Sequence, residues 1–288
     1  MDLRRSAPEA VSFSIAMKIT VKTLRSLKDR GEKIVMITAY DAVTARWAQE
    51  AGCHMILVGD SMANTVLGYA NTIPLPLEES LHHTAAVRRG SNECFVVGDM
   101  PFMSYQVGVD NAVANAGRYL KECGCDAVKL EGGVTMLPVI RRMVEVGIPV
   151  VGHIGLLPQS VLRDGGYRVH GRQEAEIAAL MADAKALDEA GVCALVLECI
   201  PQEVAARITA AISAPTIGIG AGAGCSGQVQ VLADLLGMGG DGYLPKHARR
   251  FADFNRAAID AIKSYVQAVQ QGDFPASENS TSLTPAGK

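Results

Sequence analysis

The sequence predicts an α/β protein, a (β/α)8 TIM barrel led by an N-terminal helix. Three observations carry this expectation. Short apolar runs alternate with longer helical stretches about eight times without a long break. Glycine stands at or just past the end of one helical stretch after another, a favoured helix stop. Hydrophobic residues make up 49% of the chain but aromatics only 5%, so the core is aliphatic, the filling that parallel strands and barrel interiors take. An open doubly wound sheet is the second architecture that the alternation allows.

The apolar runs cover residues 34–39, 55–59, 94–98, 127–130, 148–152, 193–197 and 216–219, with an eighth expected within 229–236. The helical stretches cover 42–51, 77–89, 111–123 and 173–190, each followed by Gly52, Gly90, Gly124 or Gly191. A leading helix over 21–29 precedes Gly31 and suits a plug for the bottom of the barrel. A last helix over 251–270 stops near Gly272. Residues 1–16 read as a flexible extension without the apolar run of a secretory signal. Residues 17–275 form the expected catalytic barrel, and the polar stretch 276–288 reads as a disordered tail.

In a barrel, chemistry gathers where strands end. Tyr40 and Asp41 follow the first run, Asp60 and Ser61 the second, and Asp99 the third. Lys129 and Glu131 flank the end of the fourth, His153 ends the fifth and Glu198 the sixth. The seventh opens into Gly218, Gly220 and Gly222. Ionisable groups ending strand after strand are hard to explain by packing alone. Asp60 and Asp99 end neighbouring strands, and two carboxylates in one apolar mouth repel unless a cation lies between them. Oxygen ligands of this kind suit Mg²⁺ or another hard divalent ion. The plainer alternative is that each caps a helix or pairs with an arginine.

Lys129 and Glu131 lie two apart, so both project from one strand face with Leu130 on the other. They suit anion binding and support of a metal-bound water, a Schiff base on Lys129, or a buried structural ion pair. His153 suits a base, a ligand or a hydrogen-bonded core histidine. Glu198 ends an otherwise apolar strand, where an ionised carboxylate is costly to bury; this points to proton transfer, with an inter-strand salt bridge as the alternative. The stretch Gly218-Ile219-Gly220-Ala221-Gly222 lacks the spacing of a phosphate loop and suits tight turning or close approach to a ligand equally. Residues 155–172 are long for a connection and read as a lid or a subunit contact.

A net charge of −3 with mixed signs argues against a nucleic-acid surface or a polybasic membrane patch. No apolar run reaches membrane-spanning length. The seven cysteines are odd in number and show no metal-ligand spacing, which reads as reduced structural thiols and a cytoplasmic location.

The segments Thr38-Ala39-Tyr40-Asp41, Val58-Gly59-Asp60-Ser61, Gly98-Asp99-Met100-Pro101-Phe102, Val128-Lys129-Leu130-Glu131-Gly132-Gly133, Gly152-His153-Ile154-Gly155, Pro158-Gln159-Ser160, Leu197-Glu198-Cys199 and Ile217-Gly218-Ile219-Gly220-Ala221-Gly222, in this order, resemble the ketopantoate hydroxymethyltransferase family. The resemblance covers nearly all of residues 17–275. It implies transfer of a hydroxymethyl group from 5,10-methylenetetrahydrofolate to 3-methyl-2-oxobutanoate, giving ketopantoate for pantothenate biosynthesis. It further implies Mg²⁺ bound by Asp60 and Asp99 with Glu131 supporting the metal shell through water. Ser61 and Lys129 would hold the keto acid, Tyr40 and His153 would line the pocket, and Glu198 would be the base. The assembly it implies is a homo-oligomer, typically a decamer. Two other readings compete: a lyase of the phosphoenolpyruvate/pyruvate barrel group, and a non-catalytic barrel serving as a binding module.

Overall fold

The computed structural model describes residues 18–240, 242 and 244–283. The expected extension over 1–16 and the end of the tail, residues 284–288, lie outside these. The chain divides into two compact units, one ending at Val231 and one beginning at Leu232.

The first unit is a closed barrel of eight parallel strands in sequence order. The strands are β1 (Ile34–Thr38), β2 (Met55–Val58), β3 (Phe95–Asp99), β4 (Ala127–Glu131), β5 (Val150–Gly155), β6 (Ala194–Glu198), β7 (Thr216–Ile219) and β8 (Gly227–Gln230). Closure is made by β1 and β8, with Ile34 opposite Gly227 and Ile37 opposite Gln230. Strands β2, β3 and β4 are buried at every residue, which explains their continuous apolar runs.

Helices α1 (Val21–Asp29), α2 (Ala42–Glu50), α3 (Met62–Thr65), α4 (Leu77–Gly90), α5 (Val109–Lys121), α6 (Leu137–Glu145), α7 (Val161–Asp164), α8 (Glu174–Glu189) and α9 (Gln202–Ala211) complete this unit. Helix α1 begins with a capping box between Thr20 and Thr23. Its Leu24 and Leu27 join Ile19, Ile34, Met36, Met55, Phe95 and Ala127 in one buried cluster. Ile34, Met55, Phe95 and Ala127 are the first residues of β1 to β4, so α1 closes the bottom of the barrel. Asp41 caps α2 by accepting from the N–H groups of Val43 and Thr44 at 2.8 Å. It is therefore a helix cap and no part of the mouth.

Two expectations about elements need correction. The eighth strand is Gly227–Gln230, earlier than 229–236, because no helix separates it from β7. Gly220 (φ 64°) and Gly222 (φ 77°) take left-handed turns, so the chain returns to the bottom of the barrel in one short loop. A Cβ on Gly222 would also lie 2.3 Å from Gln202 Cβ. Tight turning and packing thus account for this glycine stretch. The fifth strand runs from Val150 to Gly155, beyond 148–152, because His153 pairs with Glu131 on one side and Val196 on the other. His153 lies inside the strand, not past its end.

The second unit holds α10 (Leu232–Leu236) and α11 (Phe254–Gln271). Asp253 caps α11, and Gly272 ends it in a left-handed conformation. The residues of α11 include none that is buried; Phe254, Ile259, Ile262, Tyr265, Val266 and Val269 are all exposed. Within the tail, Ser277–Asn279 form one 3₁₀ turn. No described helix is long and apolar enough to cross a membrane. All seven cysteines are free, and burial pushes the Cys193 thiol up to about 12.

Candidate active site

Strand register assembles the mouth. Asp99 lies directly opposite Lys129, Glu131 opposite His153, and Gly155 opposite Glu198. Asp60 follows β2 and completes the group. Asp60, Asp99, Lys129, Glu131 and His153 are all at most 5% exposed. The Lys129 ammonium donates to Asp99 Oδ1 at 2.7 Å and lies 4.0 Å from Glu131 Oε1. The backbone N–H of Asp60 donates to Asp99 Oδ2 at 3.0 Å. His153 lies between two acids, its Nδ1 3.6 Å from Glu131 Oε1 and its Nε2 3.2 Å from Glu198 Oε2. The Glu198 side chain is 15% exposed, the most open of this set. At the next position Cys199 adopts φ 48°, a left-handed conformation that costs roughly 1–3 kcal/mol and marks the strand end as strained. Tyr40 and Ser61 share a hydrogen bond of 2.9 Å between their hydroxyl oxygens, and the His83 Nδ1 lies 2.6 Å from the Tyr40 carbonyl oxygen. The structure therefore gathers Tyr40, Asp60, Ser61, Asp99, Lys129, Glu131, His153 and Glu198 at one end of the barrel, while Asp41 caps α2.

Glycine in the third strand has a local reason. A Cβ on Gly98 would lie 2.3 Å from the Tyr119 ring. Its absence lets Tyr119 lie against β3 and reach the Asp99 carbonyl at 2.9 Å. The residue beside a site carboxylate thus braces that carboxylate's own backbone.

The electrostatics follow from burial. Burial and the neighbouring Asp99 push the Asp60 carboxyl well above its ordinary range. Burial likewise raises Asp99, against the pull of Lys129. Burial works against charge on Lys129, but Asp99, Glu131 and Asp60 together hold its ammonium above the ordinary value. These neighbours favour the cation and work against an amine nucleophile, the form a Schiff base needs. Burial and Lys129 oppose charge on His153, yet Glu131 and Glu198 lift it to about 9.

These carboxylates outnumber the cations beside them, which is the condition under which a buried site takes a metal ion. Glu131 Oε1 is buried without an aligned hydrogen-bond partner, as are both ring nitrogens of His153. Such orphaned atoms call for water or an ion. Among the described residues, no three His, Cys, Asp or Glu side chains converge into a ready cage. Mg²⁺ is commonly held by one or two carboxylates while water and substrate supply the remaining oxygens. Asp60 and Asp99 fit as the protein ligands, with Glu131 at one remove.

Two residues of this cluster carry no role in the sequence reading. Gln159 is 4% exposed and Tyr105 is fully buried. Gln159 Nε2 donates to Asp60 Oδ2 and to the Met100 carbonyl, each at 3.0 Å. Tyr105 lies in an irregular connection and Gln159 in a single 3₁₀ turn, Pro158–Ser160, and neither is long enough for periodicity to indicate which way a side chain turns. The segment 155–172 begins with an inward anchor and then becomes open, with Leu162 75% and Tyr167 60% exposed.

Known proteins similar to this chain place it in one family. The family model described as ketopantoate hydroxymethyltransferase matches residues 18–277. A 3-methyl-2-oxobutanoate hydroxymethyltransferase of Moorella thermoacetica is 52% identical over 263 residues, 91% of this chain and 97% of that protein. One of Chloroflexus aurantiacus is 50% identical over 270 residues, 94% of this chain and 95% of its own. Among solved structures, 2,3-dimethylmalate lyase, a PEP mutase/isocitrate lyase superfamily member, matches with TM-score 0.56 at 18% identity, covering 93% of each chain. Phosphonopyruvate hydrolase in complex with oxalate and Mg²⁺ matches with TM-score 0.58 at 12% identity, also over 93% of each. At such identities these two speak for the barrel fold alone.

Proposed function

The chain belongs to the ketopantoate hydroxymethyltransferase family, and from that membership we propose that it transfers a hydroxymethyl group from 5,10-methylenetetrahydrofolate to 3-methyl-2-oxobutanoate, giving ketopantoate for pantothenate biosynthesis. The observation that carries the chemistry is the buried Asp60–Asp99–Lys129 group with Glu198 held beside His153 at the open edge.

Asp60 and Asp99 would hold Mg²⁺ or a similar divalent ion, which when bound supplies Lewis acidity toward negative charge developing on the keto acid. Lys129 adds a fixed positive charge for the substrate carboxylate, and the Tyr40–Ser61 hydroxyl pair offers it hydrogen bonds. Glu198 takes the proton from C3 of the keto acid. His153, at 3.2 Å, holds Glu198 in place for that step and steadies the carboxylate before it accepts the proton. The carbanion carbon then forms a bond to the one-carbon unit, whose bonds to the folate nitrogens break. Overall one water is consumed: its oxygen becomes the new hydroxyl, and its other proton and the one taken by Glu198 go to the two folate nitrogens as tetrahydrofolate leaves. The same reading carries a cytoplasmic enzyme acting on small molecules as a homo-oligomer, a decamer in the family's usual form. The exposed apolar residues of α11 support association.

Glu198→Gln tests the base. The variant keeps keto-acid binding but loses solvent exchange of the C3 proton by roughly 10²–10⁴-fold, read by NMR in D₂O with Mg²⁺ and no folate. Exchange at the wild-type rate removes Glu198 from this role. Ketopantoate formation that survives EDTA removes the metal.

A further inference from the structure

Gln159 and Tyr105 form a hydrogen-bond network in which every proton has a determined place. The backbone N–H of Glu131 can only donate, and it donates to the Tyr105 hydroxyl oxygen at 3.2 Å. The Tyr105 hydroxyl must then spend its one proton elsewhere, and Gln159 Oε1 lies 2.7 Å away. That contact is the shortest one made to Oε1, which also accepts from Gln106 Nε2 at 3.5 Å; with the Met100 carbonyl, which can only accept, it decides which way the amide faces. Both Nε2 protons are consequently directed to Asp60 Oδ2 and the Met100 carbonyl. The backbone N–H of Gln159 donates to Glu131 Oε2 at 3.1 Å, which closes the loop on the second acid.

An amide side chain has two orientations that differ by exchanging oxygen and nitrogen. In one it offers Asp60 a proton, and in the other a lone pair. Tyr105, at the shortest distance, selects the first together with Gln106 and the Met100 carbonyl. The partners span 99 positions between Asp60 and Gln159 and 54 between Tyr105 and Gln159, and tertiary packing alone brings them together.

We propose that Tyr105 and Gln159 are a positioning relay, in which Tyr105 orients the Gln159 amide so that it holds one oxygen of Asp60 and leaves the other for a divalent cation. The same relay pins the start of the 155–172 segment to the metal-binding acids, so the open part of that segment around Leu162 and Tyr167 hangs from a fixed point. This rests on the reading of Asp60 as a metal ligand. Neither relay residue touches the reacting atoms. Partners that orient a metal ligand from behind typically change metal affinity by roughly 10–100-fold when removed.

Mn²⁺ binding to the whole protein, measured by electron paramagnetic resonance, tests the relay without needing turnover. Tyr105→Phe deletes one oxygen and keeps the ring, and Gln159→Leu deletes the amide. Each is expected to weaken Mn²⁺ binding by about 10–100-fold. The double variant is expected to bind no more weakly than the poorer single variant, because one relay is broken in either case. The Mg²⁺ concentration giving half-maximal turnover rises in step, while turnover at saturating Mg²⁺ falls far less; a general packing defect would not show this split. Unchanged Mn²⁺ affinity in Tyr105→Phe, or losses that multiply in the double variant, overturns the relay while leaving the metal reading intact. If the wild-type protein itself takes no Mn²⁺, the metal reading falls and the relay with it.

Discussion

The barrel draws a lysine away from water at each end, and the two are held in opposite ways. At the mouth, Lys129 meets carboxylates: Asp99 at 2.7 Å, with Glu131 at 4.0 Å. At the floor, Lys28 at the end of α1 meets only carbonyls, donating to Ile212 at 2.6 Å, Ala214 at 2.9 Å and Thr209 at 3.2 Å. These close the end of α9 and the approach to β7. Burial lowers Lys28 below its ordinary value, with Asp188 and Asp29 only opposing. The acids around Lys129 overcome burial and raise it. The same side chain is a strut in one place and a fixed charge in the other. Neutral dipoles satisfy hydrogen bonds without changing a site's charge, whereas carboxylates create a charged site that needs balance.

The largest test of this contrast is Lys129→Met. It leaves Asp60 and Asp99 buried beside one another without their cation, so we expect a loss of roughly 3–5 kcal/mol in stability. Turnover should fall by on the order of 10²–10³-fold. Urea melts and steady-state rates check both; a variant that turns over within tenfold of wild type would make Lys129 a strut like its counterpart.

Lys28→Met should give a smaller and one-sided effect. Three carbonyls lose a donor at the floor, and stability falls by about 1–3 kcal/mol. The kinetic constants of the folded protein should not move, since the floor touches no reacting group. A parallel drop in kcat/KM would show that the two ends are not separable.

The smallest expected effect concerns the open segment above the mouth. Glu176 binds Arg168 at 2.8 Å and accepts from the N–H groups of Gly171 and Arg172. The Arg168 hydrogen bond first, then these N–H groups, hold its carboxyl down at about 2. A carboxyl lowered on folding stabilises the fold fully above its ordinary value of 4.5, and that contribution is lost as pH falls through about 2. Glu176→Gln should therefore lower Tm by no more than about 2–3 °C near neutral pH, and the gap should narrow below pH 4.5. Trypsin cleavage at Arg168 and Arg172 should quicken at neutral pH. A gap that widens on acidification would reverse the assigned sign.

Most of the barrel is legible in the sequence because its strands are short, apolar and punctuated by glycine. The site acids are legible for a related reason: a charged residue ending a buried strand stands out against its neighbours, and period two assigns Lys129 and Glu131 to one face. Legibility ends where local pattern ends. The eighth strand is half polar, Gly227-Gln228-Val229-Gln230, and follows a loop instead of a helix, so no periodicity announces it. His153 reads as a strand end because a polar residue interrupts an apolar run. Only its pairing with Glu131 and Val196 shows that the strand continues. Tyr105 and Gln159 belong to connections without a repeat; Gln159 falls in the segment Pro158-Gln159-Ser160 that carries part of the family resemblance, but no local pattern turns either side chain inward.

By itself the sequence determined the alternation of strand and helix, the helix stops and the identity of the acids and the lysine at strand ends. These depend on φ/ψ preference, hydrophobic period and turn chemistry, all of which act within a few residues. Tertiary structure alone decided that Asp99 faces Lys129, that His153 lies between Glu131 and Glu198, and that Gln159 reaches Asp60. Those contacts arise from strand register and barrel closure, which join residues far apart in the chain and are fixed only when the whole apolar core is buried at once.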